Sequence, residues 1–385
     1  MKIIRFNSDE LTPSLALVSS VAPIKSSLPI LNDVRIETKQ GQEGGVIVEL
    51  TTSDGETWLQ WQTPITEAEV GILLCIEAKA LLQALKNLNG KTITMNIDEE
   101  KHIVVCKYDN GKFSLPYEKA DDFPTPSNNM DGAKEVKVDG KRIRTAMERT
   151  GFASSSDELR PVMTGVRFEF FKDGMVTVAT DGHKLAKYKD LTITSDEEEM
   201  FGFTMPKRPC GTLMNVLAST IDSNIDVVFN DRCLVVSNTQ FKMTARLLEG
   251  RYPNYDAVIP KTNDKIVTID KATFITALKR VLPMGSLTSE LVALTFYNGE
   301  MTISAEDFEF SKSASEVVGC DYSPELPSFS IGFKGSSLLQ LLQAIDCDTV
   351  KISLAEPSRA GIITEGEENN TYDYTSLIMP MLLAN

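Results

Sequence analysis

The chain has 385 residues, of which 42% are hydrophobic and 24% are charged, and its formal net charge is −15. This length predicts two to four domains rather than a single core, and the composition is that of a globular protein. The sequence has no run of about 18 apolar residues and no long apolar stretch at its N-terminus, so we expect neither a membrane span nor a secretory signal. Net negative charge argues against nucleic-acid binding unless the basic residues share one surface.

Short amphipathic helices are predicted at regular intervals along the chain. Polar N-cap residues at Asn7, Asp139 and Asp270 are each followed by apolar residues four apart. These intervals predict an internal repeat of roughly 130 residues. A second helix recurs inside each repeat, and its apolar pairs are Leu81 with Leu85, Leu213 with Leu217, and Leu338 with Leu342.

Short alternating strands follow every predicted helix, so each third of the chain reads helix, strands, helix, strands. The expected fold is therefore α+β, in three tandem copies at 1–128, 133–257 and 265–385. Linkers rich in Pro, Asn and Asp separate the copies at 121–132 and 257–265. Three similar units joined by a constant rotation form an arc, which a head-to-tail dimer would close.

Basic residues concentrate on the predicted helices, whereas the acidic runs fall in predicted loops. Lys and Arg are good helix formers, so they could simply occupy solvated faces. The repeat favours the other interpretation, in which equivalent helices bring a basic face to one side of a negatively charged protein.

Few residues are suited to catalysis or metal binding. The chain has two histidines, His102 and His183, and no common hydrolase, zinc or nucleotide motif. Its six cysteines contain no C-x-x-C pair, which is typical of reduced thiols in a cytosolic protein, and we expect no metal and no cofactor. Asp181 and His183, in TDGH, could be half of a catalytic site, but Asp181 is better interpreted as a turn-forming residue.

Five segments together resemble the bacterial DNA polymerase sliding clamp, the β subunit of the replicative polymerase. They are LPIL at 28–31, FSLP with DDFP within 113–124, TVATDGHKLA at 177–186, EGRYPNYDAVIP at 249–260 and LIMPM at 377–381. The resemblance implies a ring of six similar domains from two head-to-tail protomers, with helices lining the hole and antiparallel sheets outside. Such a ring encircles duplex DNA regardless of sequence, has no catalytic centre, and confers processivity by tethering DNA polymerase. Clamp loader and repair proteins dock through the same kind of short linear motif.

The resemblance also implies which residues carry these functions. The pocket for partner peptides is expected at Met163, Thr180, Gly182, His183, Lys184, Leu185, Pro253, Val258, Leu377, Ile378, Met379, Pro380 and Met381. The expected DNA-facing residues are Lys25, Lys79, Lys141, Arg142, Arg144, Arg149, Arg160, Lys207, Arg208, Lys279, Arg280 and Lys334. The dimer contact is expected to join Phe113 and Leu115 to Val281 and Leu282, although core packing would equally explain these four.

The chain departs from the family pattern beside the expected pocket. Asp256 and Ala257 stand where many members carry an Arg, and the tail continues with Leu382, Leu383, Ala384 and Asn385 where a basic residue is usual. Both changes remove positive charge, which predicts a preference for less acidic, more apolar partner peptides. After Arg160, Pro161 and Val162 replace aromatic residues that contact DNA in some members.

Two other functions are compatible with parts of the sequence. An enzyme using Asp181 and His183 would need a deep pocket with perturbed acid–base groups. A repeat protein with another binding role would carry its Lys and Arg on solvated faces. A clamp is expected to show salt-dependent retention on circular but not on linear DNA, and this result would distinguish it from such a repeat protein.

Overall fold

The structure is a computed structural model and describes residues 2–41, 44–126, 129–323 and 326–383. Each third of the chain contains two α-helices separated by antiparallel strands, as the α+β prediction requires. In the N-terminal third, the elements are β1 (Lys2–Asn7), α1 (Ser8–Ser19), β2 (Asp33–Gln40), β3 (Val46–Ser53), β4 (Thr57–Ile65), β5 (Glu67–Ala68), β6 (Leu73–Glu77), α2 (Ala78–Leu85), β7 (Thr92–Asp98), β8 (Ile103–Tyr108) and β9 (Gly111–Pro116).

The same order recurs in the other two thirds. The middle third contains β10 (Lys134–Asp139), α3 (Gly140–Thr150), β11 (Gly165–Phe171), β12 (Gly174–Thr180), β13 (Lys184–Asp190), β14 (Phe201–Pro206), α4 (Lys207–Ser219), β15 (Asn224–Phe229), β16 (Cys233–Ser237) and β17 (Phe241–Arg246). The last third contains β18 (Lys265–Asp270), α5 (Lys271–Val281), β19 (Leu291–Tyr297), β20 (Glu300–Asp307), β21 (Lys312–Gly319), β22 (Phe329–Lys334), α6 (Gly335–Gln343), β23 (Thr349–Leu354), β24 (Gly361–Glu365), β25 (Tyr372–Ile378) and β26 (Pro380–Met381).

The predicted N-caps are confirmed at all three repeats. The side-chain oxygen of Asn7 accepts a hydrogen bond from the N–H of Asp9, and Asp270 Oδ1 accepts one from Thr273 at 2.7 Å. Asp139 Oδ1 likewise accepts the N–H of Lys141 at 3.0 Å. Each cap satisfies a backbone donor that the first helical turn leaves without a partner, which is why these helices begin where they do.

The chain divides into two compact units, Met1–Arg144 with Arg208–Leu247, and Thr145–Lys207 with Leu248–Asn385. Unit 1 contains a five-stranded sheet in the order β5-β1-β7-β8-β9 and an eight-stranded sheet in the order β10-β15-β16-β17-β4-β3-β2-β6. Unit 2 contains an eight-stranded sheet, β14-β11-β12-β13-β25-β24-β23-β18, and a five-stranded sheet, β21-β20-β19-β22-β26. The strands of the middle third are therefore divided between the units: β10 and β15–β17 complete the eight-stranded sheet of unit 1, and β11–β14 complete that of unit 2.

Helices pack on these sheets through the apolar faces that the sequence predicts. In unit 1, α1 buries Leu11 and Leu15 and contacts β3, β4 and α2. In unit 2, α5 buries Phe274 and Leu278 and contacts β20, β21 and α6. Burying each such side chain contributes about 1.5–3 kcal/mol. Within the described ranges, no helix is both long enough and apolar enough to cross a membrane.

One hairpin turn has the same hydrogen bonds in each third of the chain. Oδ1 of Asp54, Asp181 and Asp307 accepts the N–H groups of the residues two and three positions further on. These turns lead into β4, β13 and β21, so the three strands occupy equivalent positions in the repeat.

Candidate functional site

The turn between β12 and β13 is held by one carboxylate. Asp181 Oδ1 accepts the N–H groups of His183 and Lys184, both at 2.8 Å, and Oδ2 accepts the Lys184 ammonium at 2.6 Å. Gly182 has φ of +89°, in the left-handed region that favours glycine. The prediction that Asp181 forms a turn is confirmed by these bonds.

The same bonds make Asp181 a poor general base. Partial burial alone would raise its pKa, but the Lys184 ammonium and the two backbone N–H groups outweigh burial and hold the pKa below its usual range. A catalytic base at neutral pH needs a pKa near 7, which is the opposite direction. The arrangement of Asp181 and His183 therefore supports a rigid turn rather than acid–base chemistry.

An apolar cluster lies beside this turn, on one face of the unit 2 eight-stranded sheet. Leu185 of β13 and Leu377 of β25 are directly opposite each other in the strand pairing. Both are buried together with further apolar residues, namely Val176, Val178, Tyr252, Tyr255, Ala360 and Ile362. Leu185 and Leu377 were predicted for the pocket, and the structure brings them together in this cluster.

The segment after β17 contributes Tyr252 and Tyr255 to this cluster and is fixed by a buried hydrogen bond. The Tyr255 hydroxyl donates to Glu169 Oε2 at 2.5 Å, and Arg167 Nε donates to Glu169 Oε1 at 3.1 Å. Burial, reinforced by the Glu169 carboxylate, raises the pKa of Tyr255, so its hydroxyl stays protonated as a donor. Tyr252 and Tyr255 were not predicted as site residues, although both lie in the RYPNY segment that carries the resemblance.

Apolar side chains remain exposed around the rim of the cluster. Val258 is 58% exposed and Met379 is 41% exposed. The Met379 N–H donates to the His183 carbonyl at 2.7 Å, which joins the tail to the turn. The other predicted pocket residues in this part of unit 2 are Met163 and Thr180, which are buried, Pro380 and Met381, which are half-buried, and Pro253, Gly182 and His183, which are exposed. Ala384 and Asn385 lie outside the described residues.

Strand alternation places the side chains of two predicted pocket residues away from the apolar cluster. Lys184 is paired with Ile378, one position from the pair formed by Leu185 and Leu377. Successive side chains point to opposite faces of a sheet, so Lys184 and Ile378 lie on the face away from the apolar cluster. Ile378 is 1% exposed and belongs to the core, and the Lys184 ammonium closes the Asp181 turn.

One predicted DNA-facing residue is also corrected. Arg149 is buried, and its guanidinium makes ion pairs with Glu365 at 2.9 Å and Asp346 at 2.7 Å. Its guanidinium carbon lies 4.5 Å from the ring centroid of Tyr372 and 5.4 Å from that of Tyr188. A cation enclosed in this way has no surface to offer to a phosphate, so Arg149 has a structural role.

The remaining basic residues stay at the surface of their units. Unit 1 carries Lys25, Lys79, Lys141 and Arg208 as exposed residues, with Arg142 and Arg144 half-buried, and unit 2 carries Arg160, Lys207, Lys279, Arg280 and Lys334 as exposed residues. Some of these exposed cations form ion pairs with half-buried carboxylates, and ion pairs at the surface contribute little to stability. These pairs are Arg208 with Asp54, Arg160 with Asp157, Arg280 with Glu316, and Lys334 with Glu290.

Cations lie at the starts of several helices, where they oppose the helix dipole. Lys79 and Lys141 are the second residues of α2 and α3, and Lys207 is the first residue of α4; none of these first turns contains an acidic residue. Lys334 is the N-cap of α6. A cation at a helix N-terminus is destabilising by about 0.3–1 kcal/mol, and it makes that end attractive to anions. The lysines therefore add positive charge at these helix ends, next to the acidic N-caps Glu77 of α2 and Asp139 of α3.

The residues predicted for a dimer contact differ in their exposure. Phe113 and Leu115 are half-buried on β9, which forms the edge of its sheet. Leu282 is half-buried, whereas Val281 is 1% exposed inside the α5 core. Core packing therefore accounts for Val281, and the prediction that its side chain forms a surface contact is corrected.

The described residues offer no centre for metal or thiolate chemistry. Within the described ranges, no group of three or more His, Cys, Asp or Glu side chains could hold a metal ion. The six cysteines are free thiols, and burial raises the pKa of Cys75 and Cys106 to about 12. Thiols this weakly acidic are poor nucleophiles at neutral pH.

Comparison with known proteins accounts for this combination of repeats, basic helix starts and an apolar cluster beside the Asp181 turn. The N-terminal, central and C-terminal domain models of the DNA polymerase III beta subunit match residues 1–127, 137–254 and 256–382. The chain belongs to the DNA polymerase III beta subunit family. Members of this family are sliding clamps, which are accessory subunits of the polymerase with no catalytic centre, so the prediction of a non-enzymatic replication protein is confirmed.

The similarity to this family extends over the full length of the relatives. The clamp is 26% identical to the beta sliding clamp of Pseudomonas putida, over 97% of this chain and 98% of that protein. It is 28% identical to the beta sliding clamp of a Synechocystis species over the whole of both chains. The crystal structure of the Pseudomonas aeruginosa beta subunit superposes with a TM-score of 0.88 at 25% identity, covering 99% of the clamp and 100% of that chain. A second P. aeruginosa structure, bound to griselimycin, has a TM-score of 0.89 at 25% identity over the same coverage.

Proposed function

We propose that the clamp forms a head-to-tail homodimeric ring that encircles duplex DNA and tethers DNA polymerase and other partners through the apolar pocket of unit 2. We also propose three clamp domains, at 1–128, 133–257 and 265–385, and a cytoplasmic location. The observation that carries the ring is the pattern of strand pairing between successive thirds of the chain.

In the middle and last thirds, the last long strand pairs with the third before it. β17 is that strand in the middle third and pairs with β4, and β25 is that strand in the last third, followed only by the two-residue β26, and pairs with β13. β9 ends the first third but lies at the edge of its sheet, and β21, the equivalent of β4 and β13, lies at the edge of another. Applying the same rule once more pairs β9 of one protomer with β21 of its partner. Two such contacts close a two-protomer ring.

The residues around β21 support this contact. Phe308 and Phe310, in the turn before β21, are 79% and 66% exposed, and Val317 within the strand is 55% exposed. Large exposed apolar side chains beside an unpaired strand edge mark an association surface or an aggregation hazard. Docking of a partner protomer would cover the exposed apolar side chains and pair the free edge of β21.

DNA binding is supported by the cations at the helix starts. The clamp has a net charge of −15, so sequence-independent attraction to phosphates has to come from a local basic surface. Lys79, Lys141 and Lys207 supply positive charge where the helix dipole adds to it. Contacts of this kind depend on salt and carry no sequence information, which suits sliding.

Two measurements test the ring. Light scattering across a dilution series is expected to give twice the monomer mass, and a persistent monomer would contradict closure by two protomers. Clamp loaded onto a nicked circular plasmid by a clamp loader is expected to co-elute with it and to be lost after linearisation. Equal retention on circular and linear DNA would favour a repeat protein with ordinary surface binding.

A further inference from the structure

Lys187 lies beside the apolar pocket and is held there by two contacts. It follows Leu185 by two positions on β13, so the two side chains share a face of the sheet at a spacing of about 7 Å. Its ammonium is 2.7 Å from Asp256 Oδ1 and 5.2 Å from the ring centroid of Tyr255. Tyr255 belongs to the pocket cluster, so Lys187 brings a cation to the edge of an otherwise apolar site.

Asp256 is prepositioned to neutralise that cation. Its neighbour Tyr255 is anchored through its hydroxyl to buried Glu169, which fixes the backbone that carries Asp256. The Lys187 side chain is only 23% exposed, whereas that of Asp256 is 63% exposed. Solvent and an incoming ligand therefore meet the carboxylate first.

We propose that Asp256 competes with acidic residues of partner segments for Lys187, so that the clamp selects segments whose apolar anchor is flanked by a neutral or basic residue. This inference rests on the proposed use of the pocket for partner segments. An acidic flanking residue has to displace Asp256 and then lies near the displaced carboxylate. A basic flanking residue meets the exposed face of Asp256 without breaking the ion pair.

A different result is expected if the peptide preference comes only from the basic residues that this chain lacks. In that case the rim would contain no cation, and removing Asp256 would not create an attraction for an acidic peptide. Because Lys187 is present beneath Asp256, removing Asp256 uncovers it, and the preference reverses.

The test uses three synthetic peptides that share Leu and Phe anchors and carry Glu, Gln or Lys at the flanking position. Fluorescence anisotropy measures the dissociation constant of each peptide for the full-length clamp. The wild-type protein is expected to bind the Glu peptide most weakly. Asp256→Ala is expected to tighten the Glu peptide about threefold and to weaken the Lys peptide by a similar factor, as exposed ion pairs allow. The double variant Asp256→Ala, Lys187→Gln is expected to bind all three peptides equally.

A second ion pair on the same strand provides the control. Lys189 is also 23% exposed on its side chain and pairs with Asp173 at 2.5 Å, two positions further from Leu185. Asp173→Ala is expected to leave the ratio of the three dissociation constants unchanged. Unchanged ratios in Asp256→Ala, or equal shifts in Asp173→Ala, would overturn the charge selection while leaving the pocket intact. Failure of all three peptides to bind the wild-type clamp would overturn the pocket itself.

Discussion

Arg149 offers a direct test of whether a basic residue on these helices contacts DNA or stabilises the fold. Its side chain is 7% exposed, and it is paired with Glu365, whose side chain is also 7% exposed. Arg149→Met keeps most of the side-chain volume but leaves the Glu365 carboxylate buried without its cation. Removing one partner of a buried ion pair is destabilising by about 3–5 kcal/mol. We expect the free energy of unfolding to fall by that amount.

Urea unfolding followed by circular dichroism measures this loss, and the companion variant tests its cause. Adding Glu365→Gln replaces the stranded carboxylate with a neutral amide, so the double variant is expected to regain roughly half of the lost stability. The contacts of Arg149 with Tyr372 and Tyr188 remain lost in both proteins. A single variant within about 1 kcal/mol of wild type would refute the assigned role.

DNA retention provides an independent readout. At a temperature where Arg149→Met is folded, its retention on circular DNA is expected to match that of wild type at every salt concentration. Lys141→Ala, which removes an exposed cation from the start of α3, is expected to weaken retention and reduce its salt dependence. The reverse result would return Arg149 to the DNA-facing set.

Three further predictions concern the dimer and the pocket. Leu282→Asp is expected to shift the light-scattering mass to that of a monomer, whereas Leu382→Asp, at a 91% exposed position, remains dimeric; a dimeric Leu282→Asp protein contradicts the contact. Asp181 has a lowered folded-state pKa, so its stabilising effect is present above the unfolded pKa of about 4 and is lost as pH falls through the folded pKa. In a pH series of urea midpoints, Asp181→Asn is expected to be less stable than wild type at pH 7 and to converge with it in acid, and parallel curves contradict this. In Gly182→Ala the added Cβ would lie 3.5 Å from Arg160, which leaves room for it, but the φ of +89° is unfavourable for alanine. The variant is therefore expected to lose about 1 kcal/mol of unfolding free energy and to bind partner peptides more weakly. Unchanged stability and affinity would contradict the expected backbone strain.

Local features of the sequence predicted the helices well. The caps at Asn7, Asp139 and Asp270 and the apolar spacing after each depend only on neighbouring residues, so they can be recognised without the fold. The α+β class and the repeat followed from the same local signals. Pairing of β4 with β17, and of β13 with β25, joins distant segments that carry no local mark of their partner.

The errors at the predicted sites have identifiable causes. Arg149 lies on a helix with other basic residues, and the aromatic rings that enclose it come from β13 and β25, which adjoin only in the folded protein. Leu377 and Ile378 are adjacent in a strand, so their side chains face opposite sides of the sheet, and only the folded structure shows that Leu377 joins the apolar cluster. Lys187 carries no motif, and the role proposed for it depends on its distance from Asp256.

The division of the middle third between two sheets constrains how this chain folds as it is synthesised. The edge of β4 has no neighbour until β17 leaves the ribosome, since Thr57 pairs with Ala245. The edge of β13 waits in the same way for β25, where Lys184 pairs with Ile378 close to the C-terminus. A nascent chain released early would therefore expose an apolar strand ready to join another molecule, and such distant pairing slows folding. Both edges are unpaired while the growing chain ends between β13 and β17, and chaperone demand is expected to be greatest at those lengths.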